Sequence, residues 1–303
     1  MKNPSLIRER LGLKTIHPPQ PVLPRVTASS NGRESEIKAS LYVCLLGDFQ
    51  VWRDGVLITP EEWKTQKEKT LMKILLTERG HLVQQDQLIE ALWPNLCPQL
   101  AHNSLWVCVN HLRHTLEPQL SKPADSHFIL WRSNGYLFSA EDICTLDTDE
   151  LTIYLKRGDD FKQKEELDSA IAAYQAAEAL YRGDYLEEDP YEDWAVIRRS
   201  ELLQSYGEIL KNLAECWAQA GQHQKALTCY QKILAKERCH EAIWHQVMLC
   251  YWRLGERDRA LLAFEQCCEI LKRELRIQPM PQTLELRQFI TKTTFQSKEL
   301  AKI

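Results

Sequence analysis

The sequence predicts an α+β N-terminal domain followed by an all-α domain of helical repeats. Three observations predict it. Short β-rich runs and three helical segments lead to an Asn-Gly turn in the first half, and a pattern of small and aromatic residues recurs in the helical second half. The length of 303 residues is enough for about two domains.

Residues 1–40 are expected to form a disordered tail. The stretch IHPPQPVLPRV is rich in proline, and TASSNGRESE is polar and has no apolar periodicity.

From Leu41, LYVCLLGDFQVWRDGVLIT predicts three or four short antiparallel strands, with a hairpin at Asp54-Gly55. Three helices follow. The first, marked by Trp63, Leu71, Ile74 and Leu75, ends at Gly80, and QQDQLIEALWP forms the second. The third is CPQLAHNSLWVCVNHLRHTLEP, opened by Pro98.

The stretch FILWRSNGYLFS alternates around Ser133, Asn134 and Gly135, which predicts an Asn-Gly hairpin. Strands, three helices and a hairpin, in this order, are typical of a winged helix, in which the hairpin follows the third helix of a helix-turn-helix. We therefore predict a winged helix-turn-helix domain over residues 41–140.

The third helix has two faces. Its apolar stripe consists of Leu105, Val109, Leu112 and Leu116. At about 100° per residue, a sector away from this stripe holds Asn103, Trp106, Asn110 and Arg113, with His114 at its edge.

The third helix of a winged helix enters the major groove, where Asn pairs with adenine and Arg with guanine. Trp106 would pack against a thymine methyl group or a sugar. We predict that these five residues read bases. The alternative is a solvated helix face with one packed tryptophan.

Phosphate contacts are expected from other basic residues of the domain, namely Lys64, Lys67, Lys69 and Arg132. A solvated charged face is the alternative. Residues 41–140 hold five Lys and four Arg against four Asp and six Glu, a net charge of −1. We therefore expect weak binding by a monomer, strengthened by a homodimer on a repeated site.

The chain is predicted to be helical from about Asp147. Gly221, Ala226 and Tyr230 recur 34 residues later as Gly255, Ala260 and Phe264, and Ala170 and Tyr174 keep the same four-residue step. Thirty-four residues is the tetratricopeptide period. We predict an all-α tetratricopeptide-like domain over 141–290 and a C-terminal tail over 291–303.

The acidic, aromatic stretch DYLEEDPYEDW allows two interpretations. It is either a docking surface for a partner protein or a loop whose Tyr185, Tyr191 and Trp194 hold the repeat stack together. We favour the structural role for these aromatic residues.

The motifs LLGDFQVWRDG, LIEALWP, NSLWVCVNHLRHTLE, NGYLF and LYRGDYLEEDPYEDW, taken together and in order, resemble bacterial transcriptional activators of the SARP type. These join an OmpR-type winged helix to a bacterial transcriptional activation domain of tetratricopeptide-like helices. The resemblance covers about residues 41–290. It implies binding to double-stranded promoter DNA, and to RNA polymerase or another regulatory protein through the helical domain.

The sequence departs from the family pattern at two positions. Cys97 stands where the family often has Asp before Pro98, which weakens the expected N-cap of the third helix. Trp106 stands where a basic residue is common.

No catalytic or cofactor-binding motif is present: the sequence has neither G-x-S-x-G nor a phosphate loop, so we expect no enzyme and no cofactor. The ten cysteines form no C-x-x-C pair, so we expect no metal site. No apolar run is long enough to span a bilayer, so we expect a cytoplasmic protein without membrane contact.

The leading hypothesis is a sequence-specific DNA-binding transcriptional regulator, specifically an activator. One alternative is a tetratricopeptide adaptor whose winged helix has lost DNA binding, which near-neutral charge and Trp106 favour slightly. Another is a thiol or metal sensor that uses the cysteine-rich C-terminal half, where the best candidate group is Cys239, His240, His245 and Cys250.

Overall fold

The computed structural model of the chain describes residues 40–139 and 143–292. The tails expected at 1–40 and 291–303 lie outside these ranges, apart from Ser40 and the last helical residues, Thr291 and Lys292. Within the described ranges, no helix has the length and apolar character needed to cross a membrane.

The N-terminal sheet begins with β1 (Leu41–Cys44), β2 (Gln50–Arg53) and β3 (Val56–Leu57), which pair in antiparallel order. Asp54 and Gly55 have φ values of 51° and 81°, so β2 and β3 are joined by the two-residue turn that the sequence predicts. The sequence did not predict that the fourth strand of this sheet is Cys144–Leu146, which lies parallel to β1.

The three helices of the helix-turn-helix are α1 (Gln66–Thr77), α2 (Gln85–Leu92) and α3 (Pro98–Leu116). Their number and order confirm the sequence prediction. Trp63 is not part of α1, because the Thr65 side chain caps this helix by accepting a hydrogen bond from the Glu68 amide at 3.2 Å.

The wing is a three-stranded sheet. Its strands β4 (Leu82–Gln84), β5 (Ile129–Arg132) and β6 (Gly135–Phe138) lie in the order β4-β6-β5.

The hairpin predicted between β5 and β6 is confirmed, but its two-residue loop is Ser133-Asn134, both with positive φ. Gly135 instead begins β6. A Cβ atom there would lie 2.4 Å from the Val83 carbonyl oxygen, so the neighbouring strand requires glycine.

The remainder of the described chain begins with β7 (Cys144–Leu146), the strand parallel to β1, and is then helical. Its helices are α4 (Asp147–Gln163), α5 (Leu167–Leu180), α6 (Asp193–Gln219), α7 (His223–Lys236), α8 (Glu241–Arg253), α9 (Arg257–Ile270) and α10 (Pro281–Lys292), with a π-helical turn at Leu271–Leu275. Each helix from α4 to α9 packs against the next, as in a tetratricopeptide stack.

The residues of the 34-residue pattern lie inside this stack. All six of its small and aromatic residues are buried: Ala170, Tyr174, Ala226, Tyr230, Ala260 and Phe264. Gly221 and Gly255, with φ values of 71° and 79°, end α6 and α8 in the left-handed conformation that favours glycine. The predicted repeat is therefore confirmed.

The acidic, aromatic stretch contacts both the winged helix and α6, whose Arg199 donates to the Tyr185 and Asp189 carbonyl oxygens. Tyr185 is buried, and its hydroxyl lies 2.7 Å from the Thr77 hydroxyl at the end of α1. Trp194 is half-buried, whereas Tyr191 is 94% exposed. Tyr185 is therefore structural, as predicted, but its side chain joins the winged helix to the stack and does not hold the repeats together. The predicted role is wrong for Tyr191.

Two buried polar groups join the winged helix to the helical stack. The carboxylate of Asp147, at the start of α4, accepts hydrogen bonds from the Leu45 and Leu46 amides at 2.9 and 3.0 Å. The ammonium of Lys73 in α1 lies 2.6 Å from the carboxylate of Asp189. These contacts set the position of the helical stack relative to the winged helix.

Candidate nucleic-acid interface

The apolar stripe of α3 is buried, as the sequence predicts. Leu105, Val109, Leu112 and Leu116 are each at most 1% exposed. The helix packs against α1 and α2, which leaves its opposite face, called here the outward face, at the surface.

The outward face holds four of the five predicted base-reading residues. Asn103 and His114 are exposed, Trp106 is 62% exposed, and Asn110 is half-buried. The sequence analysis missed Val107, which is 42% exposed beside Asn103. At about 100° per residue Val107 lies nearly opposite the stripe, and this was the available sequence signal.

Arg113 does not share this face, so its predicted position is wrong. It is only 7% exposed, and its Nε and Nη2 donate to the Ile129 carbonyl oxygen at 3.2 and 2.8 Å. At about 100° per residue, Arg113 lies to the side of α3, where the wing covers it. Burial lowers the pKa of this guanidinium from its usual value.

Asn110 and His114 are linked within α3. The Nδ1 atom of His114 lies 2.8 Å from the Asn110 carbonyl oxygen, which can only accept, so Nδ1 is the donor. The Oδ1 atom of Asn110 is buried without a hydrogen-bond partner. Its side chain must rotate before both ends of the amide are available to a base.

A surface groove of about 380 Å³ lies between the start of α1 and α3. Lys67 lines it together with Asn103, Val107 and His111. The structure therefore brings one predicted phosphate-binding lysine and one predicted base-reading amide to the same surface.

The other predicted phosphate ligands differ in their surroundings. Lys64 and Arg132 are exposed, the first just before α1 and the second at the tip of β5. Lys69 is half-buried, and its ammonium lies 5.8 Å from the centre of the Trp63 ring.

Glu68 sets the position of the start of α1 relative to α3, and the sequence analysis missed it. Its carboxylate is buried and accepts hydrogen bonds from the Lys64 amide at 2.8 Å and the Thr115 hydroxyl at 2.5 Å. Its position three residues after the N-cap Thr65 was the available sequence signal.

The wing presents one aromatic residue to solvent beside Arg132. Trp131 is 49% exposed and packs edge-on against Tyr136, with ring centres 4.8 Å apart. The outward face, the start of α1 and the wing are thus the elements with which a winged helix-turn-helix domain contacts DNA.

Seven of the ten cysteines are buried, among them Cys250 of the candidate group. Among the described residues, no group of three or more His, Cys, Asp and Glu side chains could hold a metal ion. Burial raises the pKa of Cys108, Cys144 and Cys267 to about 12, and of Cys229 and Cys250 to about 11. Thiols with such values remain protonated at neutral pH and are poor nucleophiles.

A winged helix with an accessible third helix, followed by a tetratricopeptide-like stack, defines a two-part transcriptional regulator. Comparison with protein families agrees. Residues 61–138 match the C-terminal domain of transcriptional regulatory proteins, and residues 146–291 match the bacterial transcriptional activator domain. The chain therefore carries both domains in the order typical of the SARP-type regulators that its sequence resembles.

Curated relatives share both domains at low identity. The regulatory protein DnrI of Streptomyces peucetius is 24% identical over 253 residues, which cover 82% of this chain and 92% of DnrI. The regulatory protein AfsR of Streptomyces coelicolor is 23% identical over 257 residues, 85% of this chain. That match spans only 25% of AfsR.

Among solved structures, Mycobacterium tuberculosis EmbR in complex with a low-affinity phosphopeptide has the same fold. It superposes with a TM-score of 0.72 and 23% identity, covering 84% of this chain and 65% of EmbR.

Proposed function

We propose that this regulator binds promoter DNA in a sequence-specific manner and activates transcription in the cytoplasm. The observation that carries the proposal is the groove in which Lys67 lies beside Asn103 and Val107, because it joins a phosphate ligand to base-reading side chains. In this proposal α3 enters the major groove, while Lys64 and the wing residue Arg132 contact phosphates on either side.

The helical stack is the proposed contact for RNA polymerase or another regulatory protein. It supports this role because α4 and the acidic stretch are fixed to the winged helix by Asp147 and Asp189, so a partner bound to the stack is held at a set position near the promoter. A homodimer on a repeated site would compensate for the near-neutral charge of the winged helix.

The test of DNA binding is selection of bound duplexes from a random pool with the full chain, followed by titration of the selected duplex at several salt concentrations. We expect an enriched motif and an affinity that falls as salt rises. Transcription from a template that carries this motif, with bacterial RNA polymerase, should then increase when the chain is added. A folded chain that enriches no motif at low salt would overturn the proposal.

The adaptor hypothesis keeps one observation in its favour. Leu100, Trp106 and Val107 are 55%, 62% and 42% exposed, and such apolar surfaces also serve protein contacts. An adaptor would show no salt-dependent, sequence-specific binding in the same titration, so the experiment separates the two functions.

A further inference from the structure

The outward face of α3 carries no Arg, Lys, Asp or Glu side chain with which to read a G·C pair. The helix Pro98–Leu116 contains no Lys, Asp or Glu, and its single arginine, Arg113, is buried against the Ile129 carbonyl. Guanine is read most often by Arg or Lys at its N7 and O6 acceptors, and the cytosine amino group by a carboxylate. Both kinds of reader are missing from this face.

What the face does carry matches the chemistry of an A·T pair. An exposed amide can donate to adenine N7 and accept from its amino group, and apolar side chains contact the thymine methyl group. Asn103 supplies the amide, and Trp106 and Val107 follow it at i+3 and i+4, the positions that share a helix face.

We infer that α3 reads A·T base pairs, with Asn103 on adenine and with Trp106 and Val107 on the methyl groups of neighbouring thymines. This inference rests on the proposed function, since it specifies the bases that the same face reads. It also explains how a recognition helix can read bases although its one arginine is bound to the wing. Specificity comes from amide pairing and methyl contacts, and the positive charge that contacts phosphates comes from the start of α1 and the wing.

The experiment uses the full chain and the duplex selected from the random pool. Each thymine of the motif is replaced in turn by deoxyuridine, which removes only the methyl group. We expect binding to weaken about three- to fivefold at each contacted thymine, the effect of losing one buried methyl group. Asn103→Ala should relax the preference for adenine at one position by about tenfold.

Two variants connect the methyl effect to the named residues. Trp106→Ala and Val107→Ala should each lose sensitivity to deoxyuridine at one thymine. Val196→Ala, at a valine on α6 that is 50% exposed against 42% for Val107, should keep the full effect. Because Trp106 and Val107 are exposed, these variants should retain the melting temperature of the unmodified chain, which identifies any variant that fails to fold.

The outcomes separate this inference from the function on which it rests. A motif with G·C pairs at its strongest positions, and no response to deoxyuridine, would overturn A·T reading and leave sequence-specific binding intact. A folded chain without any enriched motif would overturn both.

Discussion

The ammonium of Lys73 lies 2.6 Å from the Asp189 carboxylate, with no part of the lysine side chain exposed to solvent. Lys73 belongs to α1 of the winged helix, and Asp189 belongs to the acidic stretch before α6. The Glu188 carboxylate lies 3.2 Å from the same ammonium, and the Phe49 ring centre is 4.8 Å away. These groups replace the water that the ammonium loses on burial.

Lys73→Met should therefore destabilise the chain, by about 3 kcal/mol, because the variant leaves the mostly buried Asp189 carboxylate without a cation. Chemical denaturation measures the change in the free energy of unfolding. Limited proteolysis should also show faster cleavage between the winged helix and the stack.

The matched control for this prediction is Lys211→Met, a change at an exposed lysine on α6, which should be nearly neutral. The double variant Lys73→Met with Asp189→Asn should be more stable than the single variant, since it removes the unpaired carboxylate. A single variant as stable as the unmodified chain would show that the ion pair does not hold the two parts together.

Arg113→Ala should cost about 2 kcal/mol of stability, because it removes a charged donor from the buried Ile129 carbonyl. Since this contact positions the wing, the variant should bind every sequence more weakly without changing the preferred bases. Urea denaturation and repeated selection from the random pool measure the two effects. Loss of preference at a single base pair, with stability unchanged, would instead show that Arg113 reads a base.

Arg113 and Trp106 show how far the sequence could predict this interface. Helical periodicity was sufficient to separate the buried stripe of α3 from its outward face, because packing repeats along one helix. It could not place Arg113, since this residue lies at the boundary between the faces and its environment is set by the wing, 16 residues away in sequence. The same periodicity predicted that Trp106 is exposed to solvent, and the structure agrees.

The sequence could not predict the contacts between distant segments either. The 34-residue pattern predicted the repeats because each unit repeats its own packing, whereas the parallel pairing of β7 with β1 joins residues about 100 positions apart. Asp147 illustrates the consequence: in sequence it is the first residue of a helix, and in the structure it accepts hydrogen bonds from the two residues that follow β1.

The stability of the chain should respond to the titration of Asp147. Burial raises the pKa of this carboxyl to about 6 in the folded chain, above its ordinary value of 3.8. The folded state thus binds the proton more tightly, so the stabilising contribution is present in full below pH 3.8 and is lost as the pH rises through about 6. Relative to Asp147→Asn, the unmodified chain should gain about 1 kcal/mol between pH 7 and pH 5.

Urea denaturation of both proteins across this pH range measures that difference in the free energy of unfolding. Groups that titrate alike in both proteins cancel in the comparison. A constant difference between the two proteins would show that Asp147 is ionised throughout, so that its backbone donors outweigh its burial.

Removing the Lys67 side chain should weaken DNA binding without altering the motif. Lys67 is exposed and lines the groove beside Asn103, where it can neutralise one phosphate. A plot of the logarithm of the binding constant against the logarithm of salt concentration should become shallower by about 1 for Lys67→Ala. Lys156→Ala, at an exposed lysine of α4, is the matched control and should leave the slope unchanged. An unchanged slope for Lys67→Ala, with the motif still bound, would place the phosphate backbone away from the start of α1 and would require a different orientation of α3 in the groove.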